Sequence, residues 1–240
     1  MLWVIEISKI FEKKTENTNK TEKIYKNVRI ILRLHAKQDK IYCIQENNRG
    51  YIMEKIYETA YAKINLGLDV LGKRSDGYHE VRMVMQSVGL SDAVEIEEGE
   101  GLVVETDHSG LAGGPDNLAW KAAELLARCC GKIPNVHIRL NKKIFLAAGL
   151  AGGSSDAAAV MRGLSRLWQL DLTAPELEKL AAELGSDIPF CITGGTALAE
   201  GRGEILTELP EAPELLLVLA KPKLEVATGW VYGNFRQQKV

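Results

Sequence analysis

Apolar and polar residues alternate in the second half of Tyr61-Ala62-Lys63-Ile64-Asn65-Leu66-Gly67-Leu68-Asp69-Val70, which predicts a half-buried strand. Lys73-Arg74-Ser75-Asp76-Gly77 then supplies a turn, because an Asp-Gly pair tolerates positive φ. Apolar character resumes from Val81 to Val88, and alternation returns over Ala93 to Glu97 and Leu102 to Thr106. This succession predicts a β-meander.

Beyond Asp116-Asn117 the period lengthens. Leu118, Ala122, Leu125 and Leu126 fall at helical spacing, with Asn117 able to cap the start and Gly131 marking the end. Val136 to Leu140 alternates as a short strand and leads into Ala148-Gly149-Leu150-Ala151-Gly152-Gly153-Ser154-Ser155-Asp156. A second helix follows on the apolar stripe Ala157, Val160, Met161, Leu164 and Leu167. Thr173-Ala174-Pro175-Glu176 opens a third, with Thr173 as cap and Glu176 three residues on forming a capping box. Gly194-Gly195, the turn Gly201-Arg202-Gly203-Glu204 and an apolar strand from Leu215 to Ala220 complete the pattern.

Composition divides the chain near residue 52. Up to Ile52 there are 11 Lys and Arg against 6 Asp and Glu; after it there are 19 against 26. Residues 1–52 are therefore read as a basic extension foreign to the rest, with Met53 as the expected working start. Glu6, Glu12, Glu16 and Glu22 argue against a transit peptide there, and no secretory h-region is present. A basic arm for nucleic acid is the alternative reading of this segment. The whole-chain charge of -2 supplies no global pull toward nucleic acid or anionic membrane, so an anion has to be bound locally. No apolar stretch reaches the ~18 to 20 residues that span a bilayer, so no membrane partner is expected. The four cysteines lack metal-ligand spacing; neither a zinc site nor a disulfide framework is expected, and the cytoplasm is the default location.

The glycine-rich run joins a strand to a helix, and its residue types suit an anion. Glycine lets backbone approach a ligand closely, and the first N–H groups of a helix point outward with about half a positive charge behind them. Ser154, Ser155 and Asp156 could add side-chain oxygens, Asp156 through a bound magnesium. The spacing matches neither the Walker loop nor the dinucleotide fingerprint. The same residues also suit a tight strand-to-helix turn used only for packing.

Several motifs in order carry a resemblance. They are Ala62-Lys63-Ile64-Asn65-Leu66, Asp76-Gly77-Tyr78-His79-Glu80, Asp116-Asn117-Leu118, Ala147 to Ala158, Gly185-Ser186-Asp187-Ile188-Pro189-Phe190, Gly201-Arg202-Gly203-Glu204, and Pro222 with Thr228. Together they make the segment from Tyr57 to Tyr232 similar to the GHMP kinases, and within them to the kinase of a cytidine-bearing alcohol in non-mevalonate isoprenoid synthesis. The resemblance implies an α+β, two-domain fold with the active site in a cleft. The N-terminal ATP-binding domain would be a mixed sheet with helices over residues 53–203. The C-terminal α/β sandwich would begin at 204 and stay incomplete.

It also implies ATP and Mg2+ as cofactors and a small-molecule, cytidine diphosphate-linked partner, in a monomer or weak homodimer. Asp187 would take the hydroxyl proton, with Lys63 beside it offsetting charge on the transferring phosphate. ATP would meet Asn117, Ala147, Ala148, Gly149, Leu150, Ala151, Gly152, Gly153, Ser154, Ser155 and Asp156. Substrate would meet Asn65, Tyr78, His79, Thr228 and Tyr232, the aromatic and imidazole rings sandwiching the pyrimidine. No dedicated metal site is implied. A sibling kinase for another alcohol, a catalytically silent relative and an incomplete fragment are the competing readings; a silent relative should lack Lys63 or Asp187, and both are present.

Two departures from the family pattern stand out. Phe145 replaces a proline before the glycine run, which removes a fixed φ and adds bulk. A third glycine-rich motif is missing, and the segment from Leu215 to Leu219 is expected to expose apolar surface.

Overall fold

The computed structural model describes residues 52–221, the backbone strands Trp3–Glu6 and Ile41–Glu46, and positions 231 and 234. Its elements run β1 (Trp3–Glu6), β2 (Ile41–Glu46), β3 (Ile52–Lys73), β4 (His79–Glu98), β5 (Leu102–Thr106), α1 (Leu118–Cys129), β6 (Val136–Asn141), α2 (Gly152–Leu167), α3 (Ala174–Ala181), α4 (Ile188–Thr193), β7 (Thr196–Glu200), β8 (Ile205–Glu208) and β9 (Leu217–Ala220). The expected α+β class holds: a mixed sheet carries a set of helices.

The frame is one long hairpin. β3 and β4 pair antiparallel from Lys55↔Glu97 to Lys73↔His79, and the Asp76-Gly77 turn closes the end with Gly77 at φ 88°. Because β4 is long, it takes two further partners in succession: β7 along Met83 to Gln86, and β6 along Ala93 to Glu98. The sheet order is β2-β3-β4-β6-β5, so the expected meander is corrected. β6 inserts between β4 and β5 and runs parallel to β5. A parallel pair cannot be joined by a tight turn, and here the connection contains α1. Sequence alternation marked the strands but carries no record of which edges meet.

Helices α1 and α2 cover the sheet by burying Ala122, Leu126, Ala157, Val160, Met161 and Leu164 against Ile56, Val94, Ile96, Ile138 and Leu140. The ends of α1 follow the predicted chemistry. Asn117 Oδ1 accepts from the Ala119 N–H at 2.9 Å, and Gly131 at φ 62° lets the Lys132 N–H return to the Ala127 carbonyl at 2.9 Å. At the start of α3, the Thr173 N–H and hydroxyl both donate to Glu176 Oε2, at 2.8 and 2.6 Å. Five short elements escaped the sequence pattern: β1, β2, α4, β7 and β8 are each six residues or fewer.

β9 does not lie bare. It pairs antiparallel with β1, from Trp3↔Ala220 to Glu6↔Leu217, and Leu217 and Leu219 are buried with Ala62, Ile64, Val88, Leu90, Ile144 and Leu150. The expectation of exposed apolar surface from Leu215 to Leu219 is thus overturned at Leu217 and Leu219; Leu216 alone stays exposed. Burial on one face of an alternating strand is the physical reason. The partly buried Phe145 packs against the same cluster, beneath the glycine run.

Candidate active site

Lys63 owes its position to an irregularity in β3. The register against β4 shifts between Tyr61 and Lys63, and Ala62, Lys63 and Ile64 are consecutively buried where regular alternation would send one of them outward. The Lys63 N–H donates to the Leu150 carbonyl at 3.1 Å, which ties β3 to the glycine run. Its Nζ then lies 3.4 Å from Asp187 Oδ2 and 3.4 Å from Asn65 Oδ1.

Asp187 is the residue before α4, a position where a carboxylate ordinarily caps the helix. Here φ is -85° and ψ -16°, and no side-chain cap bond forms, so the carboxylate faces Lys63 instead. Lys63 is almost fully buried, while a third of the Asp187 side chain remains exposed. That asymmetry suits a base that must meet a ligand, next to a cation shielded from bulk water.

Both line a cavity of about 700 Å3. Its walls also hold Asn65, Tyr78, His79, Gly149 and Ser154, so five further residues expected on substrate or nucleotide gather with the pair. Tyr78 sits in the β3–β4 turn, its N–H donating to Asp76 Oδ1 at 3.0 Å, and the residue is more than half exposed. The expected contacts Thr228 and Tyr232 lie outside the described residues. Sequence reasoning named no role for three other lining residues, Lys73, Ser186 and Arg202. Arg202 was inside a recognised motif, yet nothing in that motif says what the side chain faces.

The glycine run enters α2 through alternating left-handed residues. Ala147, Gly149 and Ala151 have φ of 50°, 73° and 58°. For the two alanines this conformation costs on the order of 1 kcal/mol each, strain characteristic of a loop shaped for a ligand. A Cβ on Gly149 would meet no atom within 4 Å, while one on Gly152 would lie 3.0 Å from Ile144 Cγ2. The first intrahelical bond runs from the Ser155 N–H to the Ala151 carbonyl at 2.7 Å. Gly152, Gly153 and Ser154 therefore form a first turn whose N–H groups precede the helical ladder, at the positive end of a 16-residue helix.

Ser155 and Asp156 turn the other way, against the expectation that their side chains serve the anion or a metal. Ser155 Oγ donates to the Tyr61 carbonyl at 2.6 Å. Asp156 pairs with Lys142, which also pairs with Asp92, and all three side chains are essentially buried. Asp92 Oδ1 further accepts from the Lys143 and Ile144 N–H groups, so it anchors the chain as it enters the loop. Burial pushes the Asp156 carboxyl up to about 7, against the opposing pull of Lys142 and with the help of neighbouring Asp92. Asn117 is spent locally as well: its Oδ1 caps α1 and its Nδ2 donates to the Ala112 carbonyl at 2.8 Å.

The chain is similar over most of its length to proteins of known sequence. The family described as GHMP kinases N terminal domain matches residues 117–195. A 4-diphosphocytidyl-2-C-methyl-D-erythritol kinase of Acetivibrio thermocellus is 49% identical over 189 residues, covering 78% of this chain and 67% of that protein. The chain belongs to the GHMP kinases.

A kinase of the same description from Synechococcus sp. is 52% identical over 75% of this chain and 59% of its own length. Among solved structures, a 4-(cytidine 5'-diphospho)-2C-methyl-D-erythritol kinase superposes with a TM-score of 0.62 at 36% identity, covering 75% of this chain and 65% of that one. The chain thus spans 59 to 67% of the length of these relatives. The mevalonate kinase of Methanococcus jannaschii, at 14% identity and a TM-score of 0.50, shares the fold.

Proposed function

We propose that this GHMP kinase transfers the γ-phosphoryl group of ATP to the 2-hydroxyl of 4-diphosphocytidyl-2-C-methyl-D-erythritol, in isoprenoid precursor synthesis. The observation that carries the reading is the Lys63–Asp187 pair, 3.4 Å apart on a cavity shared with the helix-opening loop and with Tyr78 and His79. Asp187 accepts the proton of the attacking hydroxyl. Lys63 holds that carboxylate in place and offsets charge on the transferring phosphoryl group, while Asn65 orients the ammonium.

The N–H groups of Gly152, Gly153 and Ser154 receive the triphosphate, and the backbone of Ala147 to Ala151 shapes the cradle around it. Tyr78 and His79 flank the pyrimidine, with Tyr232 on its other face and Thr228 nearby in the same reading. Asn117 contributes to the nucleotide side through the helix it caps. Among the described residues no group of three or more His, Cys, Asp or Glu side chains is placed to hold a metal ion, and Asp156 is engaged by Lys142. This donor set fits a magnesium ion carried by the triphosphate, with Ser154 and Asp187 among the side-chain oxygen donors on the cavity. When bound, the ion supplies neutralisation of phosphate charge.

In this reading residues 53–203 form the ATP-binding domain and residues 204–240 open a second one, after a basic extension over 1–52. The protein works in the cytoplasm as a monomer or weak homodimer, on a small molecule rather than on nucleic acid or membrane. Among the described residues no helix is long and apolar enough to cross a membrane.

The test is phosphoryl transfer by the purified chain, followed by ADP release and phosphorus NMR of the product. Turnover is expected with the cytidine diphosphate-linked alcohol and not with mevalonate or homoserine. His79→Ala should raise the KM for that alcohol and leave the KM for ATP unchanged; equal effects on both would favour a different alcohol.

A further inference from the structure

Arg202 occupies the tip of the β7–β8 turn, between two positions whose positive φ favours glycine, Gly201 at φ 70° and Gly203 at φ 112°. The turn is fixed on both sides. The Gly201 carbonyl accepts from the Val81 N–H at 2.9 Å, tying it to the start of β4, and the Gly203 N–H returns to the Glu200 carbonyl at 3.0 Å. Glu204 then grips the arginine itself: its carboxylate accepts from the Arg202 N–H at 2.6 Å and from Arg202 Nε at 3.3 Å.

A guanidinium held this way is aimed. Its carbon sits 4.9 Å from the centroid of the Tyr78 ring, a cation–π distance, and the side chain lines the 700 Å3 cavity. Glu204 takes only the Nε edge; Nη1 and Nη2 make no hydrogen bond among the described residues. A planar fork with two uncommitted donor groups, rigidly placed on a cavity wall, matches the oxygens of a phosphate or diphosphate. Neither the transferring phosphoryl group nor the loop needs it, since Lys63 and the α2 N-terminus already serve those.

We propose that Arg202 is a specificity-determining residue that receives the diphosphate of the cytidine-bearing substrate. The inference rests on the proposed substrate and extends it. A base flanked by Tyr78 and His79 leads through one ribose to its 5'-diphosphate, and Arg202 places a cation over the Tyr78 ring. The tyrosine ring and Glu204 hold the guanidinium from two sides. Arg202 thereby couples recognition of the base to recognition of the phosphates attached to it. Lys73, on the same cavity, adds positive charge to that end of the site.

The experiment is calorimetric titration of CDP and of cytidine into the full chain, wild type and Arg202→Met, with a saturating non-hydrolysable ATP analogue occupying the loop. In the wild type CDP should bind more tightly than cytidine. Arg202→Met should weaken CDP by roughly 10- to 100-fold, the value of a charge-assisted hydrogen-bond pair, while leaving cytidine and the ATP analogue unchanged. Arg202→Lys, which keeps the charge but loses the fork, should fall between the two. Equal weakening of CDP and cytidine would mean that Arg202 only supports Tyr78, and would overturn the proposal. Unchanged CDP affinity, or a loss on the ATP analogue instead, would overturn it too. A wild type that binds neither cytidine nor CDP would sink the substrate reading, and this inference with it. Wild-type discrimination for cytidine nucleotides with a silent Arg202→Met would sink the inference alone.

Discussion

Lys63 Nζ lies 3.4 Å from Asp187 Oδ2, a contact between a bulged strand in the sheet and the residue before a six-residue helix. One partner is buried and the other open to the cavity. Removing the carboxylate proposed as the base should therefore cost turnover rather than nucleotide affinity. Asp187→Asn is expected to lower kcat by ~100-fold or more, in the range of general-base contributions, with the dissociation constant of an ATP analogue unchanged. Steady-state kinetics with parallel calorimetry measure both.

Lys142 holds two buried carboxylates, Asp92 and Asp156, behind the loop. Lys142→Met leaves them facing each other without a cation and should destabilise the fold by ~3 to 5 kcal/mol, the usual cost of breaking a buried ion pair from one side. Urea denaturation reads this directly. Adding Asp156→Asn to Lys142→Met should recover part of the loss, because a neutral amide replaces a carboxyl that has lost its cation beside Asp92.

The Asp156 carboxyl supplies a pH signature. Its value in the folded protein is raised to about 7 from the ordinary 3.8, so folding favours the protonated form. The stability tied to this group is fully present below the unfolded value and is lost as pH rises toward 7. Melting temperatures taken from pH 4 to 7 should therefore fall more, or rise less, in the wild type than in Asp156→Asn. Parallel profiles for the two proteins would contradict the assignment.

Gly203 tests the turn that carries Arg202. At φ 112° any side chain is strained, and a Cβ there would lie 2.6 Å from Met83 Cε. Met83 can shift its terminal methyl, so the backbone sets the cost. Gly203→Ala should lose ~1 to 3 kcal/mol of stability, measured by thermal or chemical denaturation.

Much of the local structure was legible in the chain. The Asp76-Gly77 turn, the Asn117 cap, the Thr173/Glu176 capping box and the helix opened by the glycine run all depend on neighbours within a few residues. Alternation located β3, β5 and β6 but left β2, β7 and β8 unmarked, and it divided β4 into two pieces, because Ser91 and Asp92 break its apolar run. Nothing in the local pattern around Asp92 marks it as a core residue. In the fold it is among the most buried groups, since Lys142 and the N–H groups of residues 143 and 144 satisfy its charge.

The sequence by itself determined which residue types meet at the site, through motifs containing Lys63, Asp187, Tyr78, His79 and the glycine loop. It determined the local geometry too, wherever a glycine, a cap or a turn residue acts on its own neighbours. Only the tertiary structure decided the strand order β2-β3-β4-β6-β5, the burial of β9 against β1, and the inward turn of Ser155 and Asp156. It also brought Arg202 onto Tyr78. These outcomes depend on contacts between distant segments, where a side chain's direction follows from the register and packing of its element. No periodicity along the chain encodes which far-off charge will meet it.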